Sequence, residues 1–376
     1  MGLTVSSNFC GGNIECIKAD KASDIRLAIA KDHKSDFYQW FYFRLVGEQG
    51  QACKLTIENA GGAAYPKGWE NYQAVVSYDL EQWHRVPTSY DGKQLVIEMT
   101  LAQNAAYVAY FAPYPLERHA ALVARAQASD VSYVSVLGQT LDGRDLDLIS
   151  VGQAAKSKKS LWFTARQHPG ETMAEWWTEG FLERLLDPVD RAAQWLLERA
   201  VLYIVPNMNP DGSARGHLRT NAAGVNLNRE WQTPSMDKSP EVFLVLEQMK
   251  QTGVDFALDV HGDEALPYNF IAGTEGVPVF TKQLQDSLDA FQSEYVSANA
   301  DFQTKYGYPP NKPGTANLTI CSNAIAETFD CLAMTLEMPF KDNANRPDAA
   351  FGWSPERCKR LGADALDAIV GVFERL

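Results

Sequence analysis

The stretch SLWFTARQHPGETMAEWW, residues 160–177, decides the fold class. Ser160–Ala165 is a short apolar run of strand character, His168-Pro-Gly-Glu171 is polar and turn-forming, and Thr172–Leu186 carries helical spacing until Asp187-Pro188 stops it. A buried strand that passes through a polar turn into a helix is the building unit of an α/β sheet. The same grammar continues downstream. Val201–Val205 reads as a strand, an irregular segment occupies 206–238, and Ser239 caps a helix with Pro240 at its first position and Val242, Leu246 and Met249 on its apolar face. Strand Phe256–Val260 leads to His261, strand Cys331–Leu336 leads to Glu337, and Ser354-Pro355-Glu356 opens a closing helix on Leu361, Ala365, Ala368 and Val372.

Upstream the grammar differs. Ile25–Ala30, Phe37–Val46, Ala52–Asn59, Tyr72–Asp79, Gln94–Thr100 and Ala106–Ala112 are short, rich in β-branched and aromatic residues, and separated by Gly, Pro and Asp signals. They predict an antiparallel β-sandwich over residues 1–115, followed by an α/β domain over 116–376 that begins with a helix near Leu116–Ala128 and a hairpin at Asp142-Gly143.

Composition narrows the function classes. The chain has 376 residues, 45% of them apolar, which is enough for a large core without covalent staples. Its 34 basic against 47 acidic residues give a net charge of −13, so nucleic acid and anionic membranes meet a repulsive average field. Six cysteines lack CxxC spacing and suit reduced thiols. No leader-like start and no apolar run long enough to span a bilayer occur, and the expected location is the cytoplasm. GxSxG, P-loop and GxGxxG motifs are absent, so a serine hydrolase or nucleotide enzyme lacks its minimum signal.

What remains is a set of polar groups at the carboxyl ends of core strands: His168 with Glu171, His261, and Glu337. In open α/β sheets the ligand crevice lies outside those ends, where residues distant in sequence converge. Two imidazoles and one carboxylate are the ligand set of a catalytic zinc with a position left for water. A carboxylate that is not a ligand can then take the proton of that water, and Glu337 is the candidate. The HxxE pair alone is weak evidence, because such a pair arises by chance on any exposed helix.

The segment between the ligands changes that. HPGE (168–171), NPDG (209–212), HLRTN (217–221), GVNLNREW (224–231), DVHGD (259–263) and TLEMP (335–339) occur in one order, and the series resembles the metallocarboxypeptidase family of the carboxypeptidase A type over roughly residues 125–376. YQWFYFRLV (38–46) is similar to the aromatic strand of the β-sandwich that precedes the catalytic domain in the cytosolic carboxypeptidase branch. The resemblance implies a mixed twisted sheet flanked by helices and one Zn2+ per chain on His168, Glu171 and His261, with Glu337 as general base. It makes Arg219 the group that polarises the scissile carbonyl, and Asn228 with Arg229 the holder of a peptide's C-terminal carboxylate, roles suited to a fixed cation and a planar guanidinium. The implied activity is hydrolysis of the last peptide bond of peptides or protein tails, with no nucleic-acid or membrane partner.

Some positions depart from the family pattern or stay open. Asn226 stands where many relatives have an Asp that orients the first zinc-binding histidine. Asp259 and Asp263 flank His261 and read equally as orienting groups or as a helix cap, and His217 reads as a solvated or hydrogen-bonded histidine and not as a ligand. Gly314-Thr-Ala-Asn317 is neutral where glutamate-trimming relatives hold a base, leaving Lys305 and Lys312 as substitutes, and Tyr306 and Tyr308 are both candidates to close over the substrate. Deacylation of N-acyl amino acids with the same ligand set, and a catalytically weak binding role for the sandwich, are the competing readings.

Overall fold

The computed structural model describes residues 2–376. Among them, two five-stranded sheets form the N-terminal third and one seven-stranded sheet forms the rest. The first sheet runs β1 (Thr4–Ser6), β4 (Tyr42–Val46), β10 (Ala105–Ala109), β6 (Val75–Ser77), β7 (His84–Arg85). The second runs β2 (Glu15–Lys18), β3 (Ile25–Ala28), β5 (Ala52–Ile57), β9 (Leu95–Thr100), β8 (Thr88–Tyr90). All pairs are antiparallel except β3 with β5. That exception follows from the connection: after β3 the chain crosses to the other sheet as β4, so it returns in the direction it left.

The six strands expected here all occur, most of them shorter than expected. The largest difference is at residues 37–41, which lie outside the ladder, with 38–41 buried and Phe37 partly so. Trp40 donates its indole N–H to the Gly11 carbonyl at 2.8 Å, and Phe41 stacks on Trp69 with ring centres 6.3 Å apart. These side chains find their partners across the domain, and that pulls the backbone out of strand pairing. Sequence patterning missed β1, β2, β7 and β8 because they are two to four residues long and all lie at sheet edges, with β2 exposed throughout.

The third sheet runs β11 (Ser132–Gln139), β12 (Asp145–Val151), β14 (Ala200–Val205), β13 (Lys159–Ala165), β15 (Phe256–Asp263), β17 (Leu332–Pro339), β16 (Phe270–Ala272). Its central four strands, β14, β13, β15 and β17, are parallel, and the outer ones are antiparallel. A strand covered on both faces loses polar alternation, which is why the central strands read as continuous apolar runs. In β13, Leu161 and Phe163 enter the core shared with the N-terminal sheets, and Trp162 enters a second core on the opposite face.

Eight α-helices accompany the sheets: α1 (Leu116–Gln127), α2 (Met173–Leu185), α3 (Arg191–Arg199), α4 (Pro210–Arg215), α5 (Pro240–Thr252), α6 (Lys282–Ala298), α7 (Cys321–Phe329) and α8 (Pro355–Val372), counted among the described residues. Ser239 does sit at the N-cap of α5, yet its hydroxyl donates to Glu230 at 3.2 Å instead of capping the helix. Helices α2 and α8 lie backbone to backbone. A Cβ on Gly180 would stand 2.0 Å from the Lys359 carbonyl oxygen, and one on Gly362 2.0 Å from that of Trp177. Only glycine allows this approach, and it fixes α2, whose amino end follows directly from the HPGE loop. Among the described residues, no helix is long and apolar enough to cross a membrane.

Candidate metal centre and active site

The parallel strands place the chemistry by register alone. His261 on β15 and Glu337 on β17 are direct Cα partners, so both side chains leave the same face at the carboxyl end of the sheet. His168 and Glu171 sit in the loop after neighbouring β13. Arg166, held at φ +58°, turns the chain there; its buried guanidinium donates to the Pro169 and Tyr114 carbonyls at 3.0 and 2.6 Å and to Glu175 at 2.6 Å.

One donor atom from each of His168, Glu171 and His261 lies within 4.8 Å of the others, and all three residues are buried. Both imidazoles turn Nδ1 toward the Glu171 carboxylate, each at 2.7 Å from one of its oxygens. Their far nitrogens are fixed from behind. His168 Nε2 meets Asn226 Oδ1 at 3.0 Å, and His261 Nε2 meets Asp259 Oδ2 at 2.8 Å. Asp259 is itself anchored by Thr164 at 2.8 Å and Gln167 at 2.6 Å. A carboxylate or amide oxygen on the outer nitrogen of a ligating histidine sets its tautomer and frees the inner lone pair. The donor set therefore fits a divalent ion, with Nδ1 as the inward atom of both rings.

Electrostatics separate the two histidines. Burial and the Arg219 charge push His168 down to about 4. Burial also opposes charge on His261, but Asp259 and Glu171 outweigh it and hold the imidazole well above its usual range. Glu171 stays far below the ordinary carboxylate range because both histidines outweigh its burial. Glu337 differs from the ligand carboxylate: its Oε2 is buried with no hydrogen-bond partner among the described residues. Burial pushes this carboxyl well up, against the opposing pull of His261.

A cavity of about 360 Å³ opens in front of these groups. Arg219, Asn228 and Arg229 line it together with His168, Glu171, His261 and Glu337, so the structure gathers every site residue expected from the sequence. Asn228 accepts from the Cys321 backbone N–H at 2.8 Å through its amide oxygen, and its NH2 lies 3.5 Å from His261 Nε2. Arg229 is exposed at the mouth, and its guanidinium donates to the Asn228 carbonyl at 2.5 Å. Lys305 and Lys312 do not line the cavity; Lys305 lies over the Tyr306 ring at 5.0 Å. Tyr308 lines it and donates its hydroxyl to Asp263, whereas Tyr306 is stacked on Tyr268 at 4.4 Å. Asp259 orients His261, and Asp263 instead ties a turn through the Ala265 and Leu266 N–H groups at 2.7 and 2.5 Å, so neither caps a helix. His217 is buried between the Thr220 carbonyl at 2.8 Å and the His33 N–H at 3.0 Å.

The remaining motifs are scaffold. Asn209 caps α4 through Gly212 N–H at 3.0 Å and donates to the Gln167 carbonyl at 3.0 Å, joining NPDG to the HPGE loop. Asn221 donates to the Lys238 carbonyl at 2.8 Å and to the buried Glu241 carboxyl at 3.3 Å. Burial lifts Glu241 to about 8. An acid whose folded pKa is raised keeps a proton that the unfolded chain has already released, so stability falls as pH rises from the ordinary carboxylate value through about 8. Replacing Glu241 with Gln is expected to remove that decline, raising Tm at pH 8 by the equivalent of roughly 4 kcal/mol and leaving it unchanged near pH 4. Parallel thermal scans of both proteins across that range check it.

Residues Tyr65 and Glu264 also line the cavity, and neither carries a sequence signal. Tyr65 stands at the start of a short helical turn of the N-terminal unit, and Glu264 lies three residues beyond a ligand on the strand exit.

Comparison with known proteins agrees with this geometry. The model of the cytosolic carboxypeptidase N-terminal domain matches residues 5–111, and that of zinc carboxypeptidase matches residues 119–343. The metallo-carboxypeptidase of Burkholderia cenocepacia is 47% identical, with a TM-score of 0.97 over 100% of each chain. The metallo-carboxypeptidase of Pseudomonas aeruginosa, solved in complex with (2-guanidinoethylmercapto)succinic acid, is 45% identical, with a TM-score of 0.96 over 99% of each chain. Human cytosolic carboxypeptidase 1 is 28% identical over 64% of this chain, which spans only 23% of that protein's length. Fold and relatives together define a hydrolase of the metallo-carboxypeptidase type. The chain belongs to the zinc carboxypeptidase family and carries the N-terminal domain of its cytosolic branch.

Proposed function

We propose that the protein is a zinc-dependent carboxypeptidase that removes C-terminal residues from peptides or protein tails in the cytoplasm, with one Zn2+ per chain held by His168, Glu171 and His261. The observation that carries this reading is the unpartnered buried Oε2 of Glu337 beside a converged His/Glu/His donor set. When bound, the ion supplies Lewis acidity that acidifies water and polarises a carbonyl.

The protein's own groups do the rest. Glu337 Oε2 accepts the proton of the attacking water and returns it to the leaving amine nitrogen. Arg219 faces the oxygen on which negative charge develops. The Asn228 NH2 and the Arg229 guanidinium receive the C-terminal carboxylate, which restricts cleavage to the last bond. Tyr308, on the loop that borders the cavity, is the group placed to close over the substrate.

The cavity wall also bears on the side chain removed. Glu275 lines it, and among the described residues no lysine or arginine does apart from Arg219 and Arg229. An acidic side chain would enter without a cation to offset its desolvation, so basic and neutral residues are favoured. The guanidino group of the Pseudomonas aeruginosa relative's ligand supports the same preference.

A peptide library varied only at its last residue, followed by mass spectrometry with zinc-loaded protein, tests the reading. Loss of single C-terminal residues, with Arg or Lys released faster than Glu and no cleavage of amidated ends, is expected. Cleavage confined to blocked dipeptides would favour acyl-amino-acid hydrolysis instead. A second expectation concerns Asn226, whose oxygen accepts from both His168 and the Asn228 N–H at 3.0 Å. A carboxylate there strengthens the histidine as a donor, so Asn226→Asp should bind zinc about tenfold more tightly in competitive chelator titrations.

A further inference from the structure

Arg219 makes no side-chain hydrogen bond or ion pair among the described residues, so something other than its own contacts must aim it. We propose that Asp32, in the N-terminal unit, is the positioning residue for Arg219, and that the N-terminal domain is thereby a working part of the active site. The inference rests on the reading of Arg219 as the group that faces the developing oxyanion.

Asp32 lies in the loop after β3 and is 2% exposed. Its carboxylate makes no ion pair among the described residues. Oδ1 accepts from the Leu218 N–H at 2.7 Å, and Oδ2 accepts from the Arg219 N–H at 2.8 Å, the Thr220 N–H at 2.9 Å and the Thr220 hydroxyl at 3.1 Å. One carboxylate thus grips three successive residues centred on Arg219, and hydrogen bonds to an ionised acceptor are roughly twice as strong as neutral ones. These bonds fix the peptide planes on both sides of the Arg219 Cα, and so the direction in which its side chain departs.

The same loop supplies the walls. Asp32 N–H donates to the Phe37 carbonyl at 2.8 Å, and this closure brings the Phe37 ring to 5.6 Å from the Arg219 guanidinium. Tyr65, clamped by both ends of the Gln39 amide at 2.8 and 3.1 Å, stands 5.3 Å from that guanidinium as well. Both are cation–π distances, which hold a guanidinium without competing for its hydrogen bonds. The loop is locked on its flanks as well. His33 N–H donates to His217 at 3.0 Å, and a Cβ on Gly224, at φ +79°, would stand 2.5 Å from the Lys34 carbonyl oxygen. Backbone anchor and aromatic walls of Arg219 therefore all come from residues 32–65, leaving its donors directed at the cavity.

An arrangement that aims a cation at charge present only in the transition state acts on kcat more than on KM. The experiment uses the full, zinc-loaded chain and a double-mutant cycle of Asp32→Asn with Arg219→Ala. The Asp32→Asn change puts an NH2 in place of one acceptor oxygen and turns it against backbone N–H donors. Asp32→Asn alone should lower kcat about 10–100-fold, with KM within about threefold and metal content unchanged. In the Arg219→Ala background the same change should cost no more than about twofold, because a positioning residue has nothing left to position. Phe37→Leu, which keeps the loop and removes one aromatic face, gives the same pattern at smaller amplitude if Asp32→Asn fails to fold. Unchanged kcat in Asp32→Asn, or losses that multiply in the double variant, overturn the proposal. Full activity in Arg219→Ala alone overturns the underlying reading of Arg219 and is distinguishable from either.

Discussion

Replacing Glu337 with Gln is expected to lower kcat by about 10²–10⁴-fold while the protein keeps its metal and its fold. The substitution is nearly isosteric, and Glu337 Oε2 has no hydrogen bond to lose. Its direct register with His261 places it beside the ligands without making it one: His168, Glu171 and His261 alone form the converged donor set among the described residues. Gln cannot accept the proton of the attacking water, so the loss should fall on the chemical step. Single-turnover kinetics with metal analysis of the same sample decides it. A variant at wild-type kcat would remove Glu337 from the mechanism, and one that has lost its metal would move Glu337 into the ligand set.

Replacing His261 with Ala is expected to abolish both metal binding and hydrolysis and to lower stability by about 3–5 kcal/mol. Among the described residues, His261 is the only partner of Glu171 Oε2 apart from the Gly262 N–H at 3.1 Å, and it also faces Asp259. Its removal leaves two buried carboxylates with one positive partner fewer, which is the costly half of breaking a buried ionic network. The informative comparison is with wild-type protein stripped by a chelator. The stripped protein should recover activity on addition of zinc and the variant should not; recovery by the variant would exclude His261 as a ligand.

Much of the α/β half was legible because its signals are local. A strand covered on both faces must be apolar along its length, and a helix following it must begin at a turn, so β13, β14, β15 and β17 stand out in the sequence. Helices α3, α4 and α7 give weak signals because they span only nine, six and nine residues, and in the 17-residue α6 the buried stripe of Leu288, Phe291 and Tyr295 is set in an otherwise polar segment. In the N-terminal third the aromatic run 37–41 reads as strand by composition, and it leaves the ladder because tertiary partners compete for it.

The sequence by itself determined which residues could do chemistry. His168, Glu171, His261 and Glu337 lie at or just after the carboxyl ends of parallel strands, and parallel register brings such ends together whatever the intervening chain does. Only the tertiary structure decided what aims and surrounds them. It assigned the outer nitrogens of the histidines to Asn226 and Asp259, admitted Tyr308 and excluded Tyr306, Lys305 and Lys312 from the cavity, and brought Asp32 against residues 218–220. The physical reason is that these contacts join loops up to 188 residues apart. Nothing in the spacing or polarity of either segment encodes the other; their meeting follows from the packing of the two units on one shared core.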